Sequence, residues 1–197
     1  MKIYKVQKFN GNWDSIETLN IDITKWKGNE DVSAFAKLAY TEDALLCRMW
    51  AIEKDILATY TPEDLDGAPC EDSCLEIFFS PEQKNIRYFN AETNPNLCLN
   101  LGFRTGRQIK VRINPREMWT IDPLEVEGGW GFTHSISLDC LQLFFPEFKL
   151  KPGSTRRANF HKCGDKTVKP HYLAWNDITC DYPDCHRPAD FGELIFE

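Results

Sequence analysis

The chain has 197 residues, enough for one domain with its own hydrophobic core and too few for two large ones. Hydrophobic residues make up 42% and aromatic residues 13%, which excludes bulk disorder. The net charge of −7, from 23 basic and 30 acidic residues, argues against a nucleic-acid duplex or an anionic membrane as main partner, and no apolar run approaches the ~18 residues of a membrane span.

The opening segment, MKIYKVQKFNGNWD, has neither the apolar stretch nor the small-residue cleavage site of a secretory signal. As it stands, the sequence points to the cytoplasm; a trimmed chain leaves an extracellular location open. Residues 31–38 read as a short helix or part of a strand. In residues 45–52, Leu45, Cys47, Met49 and Ala51 share one face, and Arg48 and Trp50 share the other. Residues 62–67 read as a loop. Along 74–79, Leu75, Ile77 and Phe79 oppose Glu76; along 87–93, Phe89 and Ala91 oppose Tyr88, Asn90 and Glu92. After the turn at Asn94-Pro95-Asn96, Leu97, Leu99, Leu101 and Phe103 oppose Asn100 and Arg104. Ile109, Val111 and Ile113 oppose Lys110 and Arg112, and residues 115–118 form a loop. Beyond Glu127-Gly128-Gly129, Phe132, His134 and Ile136 share a face, which marks His134 as a core histidine. Residues 141–148 read as a helical turn stopped near Pro146. In the following strand Ala158 and Phe160 oppose Arg157, Asn159 and His161.

Each of these segments has one apolar side, the pattern of antiparallel sheets packed face to face. The expected fold is therefore all-β, an antiparallel β-sandwich of jelly-roll or Greek-key type with few short helices, in one domain over residues 1–197. A core of Leu75, Ile77, Phe79, Phe89, Ala91, Val111, Phe132, Ile136 and Phe160 follows from the parity. The eight cysteines are expected to be free thiols; Cys70-x3-Cys74 and Cys180-x4-Cys185-His186 come nearest to a zinc spacing, but neither has the tight two-residue form, and no metal site is assigned.

The polar faces are rich in Arg, Asn and Glu together with aromatic rings. Planar donors and acceptors pair with vicinal hydroxyls, and rings stack on the C–H faces of sugars. The candidate ligand-binding residues are Arg48, Trp50, Glu76, Asn90, Glu92, Arg104, Arg157 and Asn159, all at polar parity and expected on one face, with Trp175 as a second aromatic platform. No nucleophile elbow, phosphate loop or metalloprotease helix is present. Glu76 and Glu92 form the one carboxylate pair that suggests a glycosidase.

Several stretches together resemble a known family: NGNWDSI at 10–16, EDSCLEIFFSPEQKNIRYFNAETNP at 71–95, RRANFHKCGD at 156–165, HYLAWNDI at 171–178 and CHRPADFGELIF at 185–196. They resemble the family-nine carbohydrate-binding modules, most closely their stand-alone bacterial relatives. The resemblance implies a β-sandwich that binds a mono- or oligosaccharide without hydrolysing it, in the service of polysaccharide or oligosaccharide use. It also implies a clamp of tryptophans on a glycan chain end, for which Trp50 and Trp175 are the candidates. Some members carry structural calcium; Asp72, Asp177, Asp181 and Asp184 are the candidate ligands here, with no other cofactor implied. The reading is non-catalytic carbohydrate binding. The alternatives are a carbohydrate-modifying enzyme using Glu76 and Glu92, and a structural or protein-interaction domain.

Overall fold

The computed structural model describes residues 1–28 and 30–197. Its strands are β1 (Ile3–Lys8), β2 (Leu19–Ile21), β3 (Ile23–Thr24), β4 (Ser33–Tyr40), β5 (Ala44–Ile52), β6 (Cys74–Ser80), β7 (Arg87–Thr93), β8 (Leu99–Thr105), β9 (Gln108–Ile113), β10 (Trp119–Leu124), β11 (Gly129–Ser137), β12 (Thr155–Cys163), β13 (Tyr172–Ala174) and β14 (Gly192–Phe196). The one α-helix among the described residues, α1 (Leu138–Gln142), follows β11 directly. The Ser137 side chain starts it by accepting from the Cys140 N–H.

The first sheet runs β10-β11-β5-β4, and the second β14-β12-β6-β7-β8-β9. Strand β1 joins them. Its first half pairs with β14, from Ile3 beside Glu193 to Val6 beside Phe196, and its end pairs with β4 at Ala39 and Tyr40. Both of these pairings are parallel, so the sheet is mixed and the expectation of a purely antiparallel sandwich is corrected. Parallel pairing is open to β1 because no hairpin connects it to either neighbour.

The core lies between the sheets and follows the parity of the sequence. Leu45, Cys47, Met49 and Ala51 face Leu75, Ile77, Phe79, Phe89, Ala91 and Phe160, and all are buried. Phe132 and Ile136 join them, and His134 is fully enclosed. Val111 is the exception, at 43% exposed. It lies on β9, the edge strand of its sheet, where the pairing with β8 carries a register shift at Phe103/Arg104. Residues 31–38 fall mainly in strand β4 rather than a helix, and the helical turn expected at 141–148 begins earlier, at Leu138.

One end of the interior holds charge. The Lys162 ammonium is fully buried, 3.2 Å from a Glu53 oxygen and 2.8 Å from His171 Nε2. Trp130 donates its indole N–H to the same Glu53 carboxylate. Burial pushes the Lys162 pKa down, against the opposing pull of Glu53. No helix among the described residues is long and apolar enough to cross a membrane.

Candidate functional site

The outer faces of the two sheets differ. On the first sheet, Arg48 and Trp50 are half-buried beside Phe35 and Lys37. Trp50 stacks on Phe35 with ring centroids 5.4 Å apart. The Arg48 guanidinium lies 4.4 Å from the Trp13 ring centroid, and its Nε donates to Thr133 Oγ1. Trp13, Lys37, Arg48 and Trp50 line an open groove of about 310 Å3.

On the second sheet, register lines up the polar residues in rows. His161, Glu76, Glu92 and Asn100 are successive cross-strand partners on β12, β6, β7 and β8. Asn159, Phe78, Asn90 and Gly102 form the next row, and Arg104 pairs with Tyr88 beyond it. This face is not bathed in water. The segment between β13 and β14 folds back over it. Phe191 packs edge-on against Phe78 and Tyr88, the His186 ring stacks 5.0 Å from Phe78, and Tyr88 Oη meets His186 Nδ1 at 3.0 Å.

Arg157 and Asn159 hold that cover down. Arg157 donates to the carbonyls of Ala189 and Phe191, and Asn159 exchanges two hydrogen bonds with the Asn176 backbone. Their side chains are committed to main chain. Asn90 is fully buried, and its amide finds no hydrogen-bond partner of normal geometry.

Between cover and sheet a cleft of about 120 Å3 remains, lined by Cys70, Glu76, Glu92, Arg107, Asp165, Tyr172, Cys185 and His186 among others. Glu92 accepts from Asn100 Nδ2 at 2.8 Å and lies 3.8 Å from an Arg104 nitrogen. Burial still pushes its pKa up, since desolvation outweighs those partners. Glu76 is pushed well up, first by burial and then by the charge of Glu92. Burial also raises Asp165, and it raises Tyr172 to about 12 with help from the Asp165 charge. His186 is pushed down to about 3 by burial and by Arg104 and Arg107, so its ring is a neutral platform at ordinary pH.

The expected site thus divides. Glu76, Asn90, Glu92, Arg104, Arg157 and Asn159 share the second sheet's outer face, with Glu76 and Glu92 opening into the cleft. Arg48 and Trp50 sit on the first sheet, away from them. The expectation of one face for all eight is corrected: strand parity separates inside from outside but does not say which sheet carries the strand. Trp175 is no surface platform. It is 3% exposed, with its ring edge-on to Phe160 and its backbone N–H bonded to the Phe160 carbonyl. Sequence parity missed Arg107, Asp165, Tyr172 and Cys185, because all but Tyr172 lie in connections, and Tyr172 opens a strand of only three residues. His186 had a visible signal in the His-Arg-Pro of the C-terminal stretch.

A larger groove of about 800 Å3 runs along β2, β3 and the start of β4. Its polar lining residues, such as Asn20, Asp22 and Lys169, are exposed, and Asp22 and Lys169 are engaged in surface ion pairs with Lys2 and Asp31, which makes it a weaker site than the cleft. Of the aspartates considered for calcium, Asp72 is occupied by the N–H groups of Thr59 and Tyr60 and the Asn94 amide, while Asp184 pairs with Arg107 at 3.1 Å.

The fold has solved counterparts. A Bacteroides uniformis protein assigned to carbohydrate binding superposes with a TM-score of 0.80 at 24% identity, covering 100% of this chain and 99% of that one. A family 9 carbohydrate-binding module from Caldicellulosiruptor kristjanssonii in complex with glucose matches with a TM-score of 0.72 at 13% identity, over 100% of this chain and 96% of that one. The same kind of module in complex with cellotriose matches at 0.71 and 14% identity, covering 100% and 94%. No curated protein matches the sequence. The model of carbohydrate-binding family 9 matches residues 10–196, nearly the whole chain. With a sandwich whose covered face gathers planar polar groups and rings, the chain belongs to carbohydrate-binding family 9.

Proposed function

We propose that this chain binds the end of a carbohydrate, one sugar ring deep, in the cleft between the second sheet and its covering segment, and releases it unchanged. The observation that carries this reading is the convergence of Glu76, Glu92, Asp165 and Arg107 with the rings of Tyr172 and His186 around one opening. A pyranose needs that combination: paired acceptors and donors for its hydroxyls, and a flat surface for its C–H face. At about 120 Å3 the cleft has the volume of roughly four waters, which suits the edge of a single ring and not a polymer lying lengthwise. The complexes of the related modules with glucose and cellotriose support the ligand class.

The carboxylates favour holding over hydrolysis. Glu76 and Glu92 are direct cross-strand partners, so they rise side by side from the floor of the cleft. A glycosidase places its two carboxyl groups on opposite sides of the scissile bond, roughly 5–10 Å apart. Glu92 is further restrained by Asn100 and Arg104.

The groove at Trp13, Arg48 and Trp50 is the second reading, since it too joins rings to a guanidinium. Its rings are already engaged on one face, Trp50 by Phe35 and Trp13 by Arg48.

Titration calorimetry with glucose and cellotriose, beside a product assay on cellotriose, separates the readings. Glu92→Gln and Tyr172→Ala should each weaken binding roughly tenfold, about 1.4 kcal/mol, while Trp50→Ala leaves it unchanged. Loss of binding in Trp50→Ala alone moves the site to the first sheet. Released sugar makes the protein an enzyme, and silence toward a broad glycan array leaves a protein-interaction role.

A further inference from the structure

We propose that Cys163, Cys185 and Glu76, with His161 as fourth donor, form a binding site for a thiophilic divalent cation of the zinc type. The donor atoms of Cys163, Cys185 and Glu76 all lie within 4.8 Å of one another, the one such group among the described residues. A tetrahedral zinc with bonds of about 2.3 Å to sulfur sets its donors about 3.8 Å apart. The three side chains therefore need to close by about 1 Å or less to grip an ion.

The fourth donor, His161, stands outside that group and is brought beside it by register. His161 is two residues from Cys163 on the same face of β12, and it stands directly opposite Glu76 on β6. It is fully buried, and its ring meets the Cys185 thiol without a hydrogen bond of normal geometry. A buried imidazole whose polar neighbour is a thiol, a weak hydrogen-bonding group, is costly unless a ligand takes one of its nitrogens. Phe78 flanks the ring edge-on, 4.9 Å away, which limits how far it can swing.

Two further facts favour a cation. Glu76 and Glu92 are neighbouring buried carboxylates, and the nearest guanidinium, Arg104, lies 3.8 Å from Glu92. A positive ion at Glu76 offsets that crowding of negative charge. The donor set of two sulfurs, one nitrogen and one carboxylate oxygen also selects zinc over calcium or magnesium, which prefer oxygen throughout. None of the close cysteine pairs in the sequence is used. Cys163 and Cys185 come from a sheet strand and from the covering segment, so the ion would fasten the cover to the sheet. This inference does not depend on the carbohydrate reading.

The test uses the full-length protein, reduced, stripped with a chelator and titrated with cobalt(II). One equivalent should bind, with a thiolate-to-cobalt charge-transfer band and the visible bands of tetrahedral cobalt, and zinc should bleach both. Cys163→Ser and Cys185→Ser should each lose the charge-transfer intensity and at least tenfold in affinity. His161→Gln should lose affinity, and Cys47→Ser, buried in the other sheet, should retain both. Should a variant fail to fold, alkylation of the wild-type protein decides instead: one equivalent of zinc should protect Cys163 and Cys185 of the eight thiols, as mapped by peptide mass spectrometry. Absence of a cobalt spectrum in folded protein, protection of other cysteines, or a spectrum that survives loss of both thiols overturns the proposal.

Discussion

Trp119 donates its indole N–H to His134 Nδ1 at 3.0 Å, inside the sandwich and out of reach of water. The bond fixes His134 as a neutral acceptor, with Thr93 Oγ1 3.4 Å from the other nitrogen. Burial pushes the His134 pKa from 6.5 down to about 3. The unfolded chain therefore takes up this proton near pH 6.5, and the folded chain only near about pH 3. Its contribution to stability is complete above the upper value and is lost as pH falls through the window, on the order of 4–5 kcal/mol in all. His134→Gln keeps an acceptor for Trp119 but cannot ionise. Its melting temperature should fall less steeply with acidification than that of the wild type. Equal slopes in a thermal scan series would rule out His134 as the titrating group; His186, depressed in the same direction, leaves part of the slope in both proteins.

The interior charge cluster should behave as a unit. Lys162→Met leaves Glu53 buried without its ammonium, and Glu53→Gln leaves Lys162 without its carboxylate. Each should cost about 3–5 kcal/mol in urea unfolding. The double variant should cost much less than the sum, because no uncompensated charge remains. Additive costs would show that the two side chains do not interact in solution.

Trp175 packs where a side chain on Gly192 would collide with its six-membered ring. Gly192→Ala should therefore cost about 1–3 kcal/mol through overpacking. Trp175→Ala should cost about 3–5 kcal/mol by leaving a cavity. Chemical denaturation reads both, and a stable Trp175→Ala protein with lost sugar affinity would instead restore that tryptophan as a surface platform.

Phe79 and Phe132 face each other's sheets from the two halves of the core, both fully buried. Truncation of either to alanine should cost about 3–5 kcal/mol. A loss below 1 kcal/mol by equilibrium unfolding would contradict a core shared between the sheets.

The strands and their inner faces were legible because alternation is a local property. Leu75, Ile77 and Phe79 point inward as their spacing requires, and His134 is enclosed as its apolar neighbours require. Val111 misled because its alternation is as clean as theirs, while its exposure depends on being in an edge strand, which is decided by partners far along the chain. The site was half legible for the same reason. Glu76, Asn90 and Glu92 lie together because β6 and β7 form a hairpin, a neighbour relation that short connections favour. Arg48 and Trp50 have the same parity but belong to the other sheet. Nothing local announced that the segment carrying Cys185 and His186 folds back over the polar face, since that depends on Phe191 meeting Phe78 and Tyr88.

Strand β1 sets the order in which the molecule can be finished. Ile3 lies beside Glu193, so the seam between the sheets closes on residues very far apart in sequence. During folding, β1 must wait for β14 before its hydrogen bonds are complete. Pairings this distant along the chain are slow to form. Until β14 arrives, the edges of β4 and β12 that β1 and β14 will cover stand open to any other extended chain. A chain that lacks only β14 should thus be far more prone to aggregation than its five missing residues suggest.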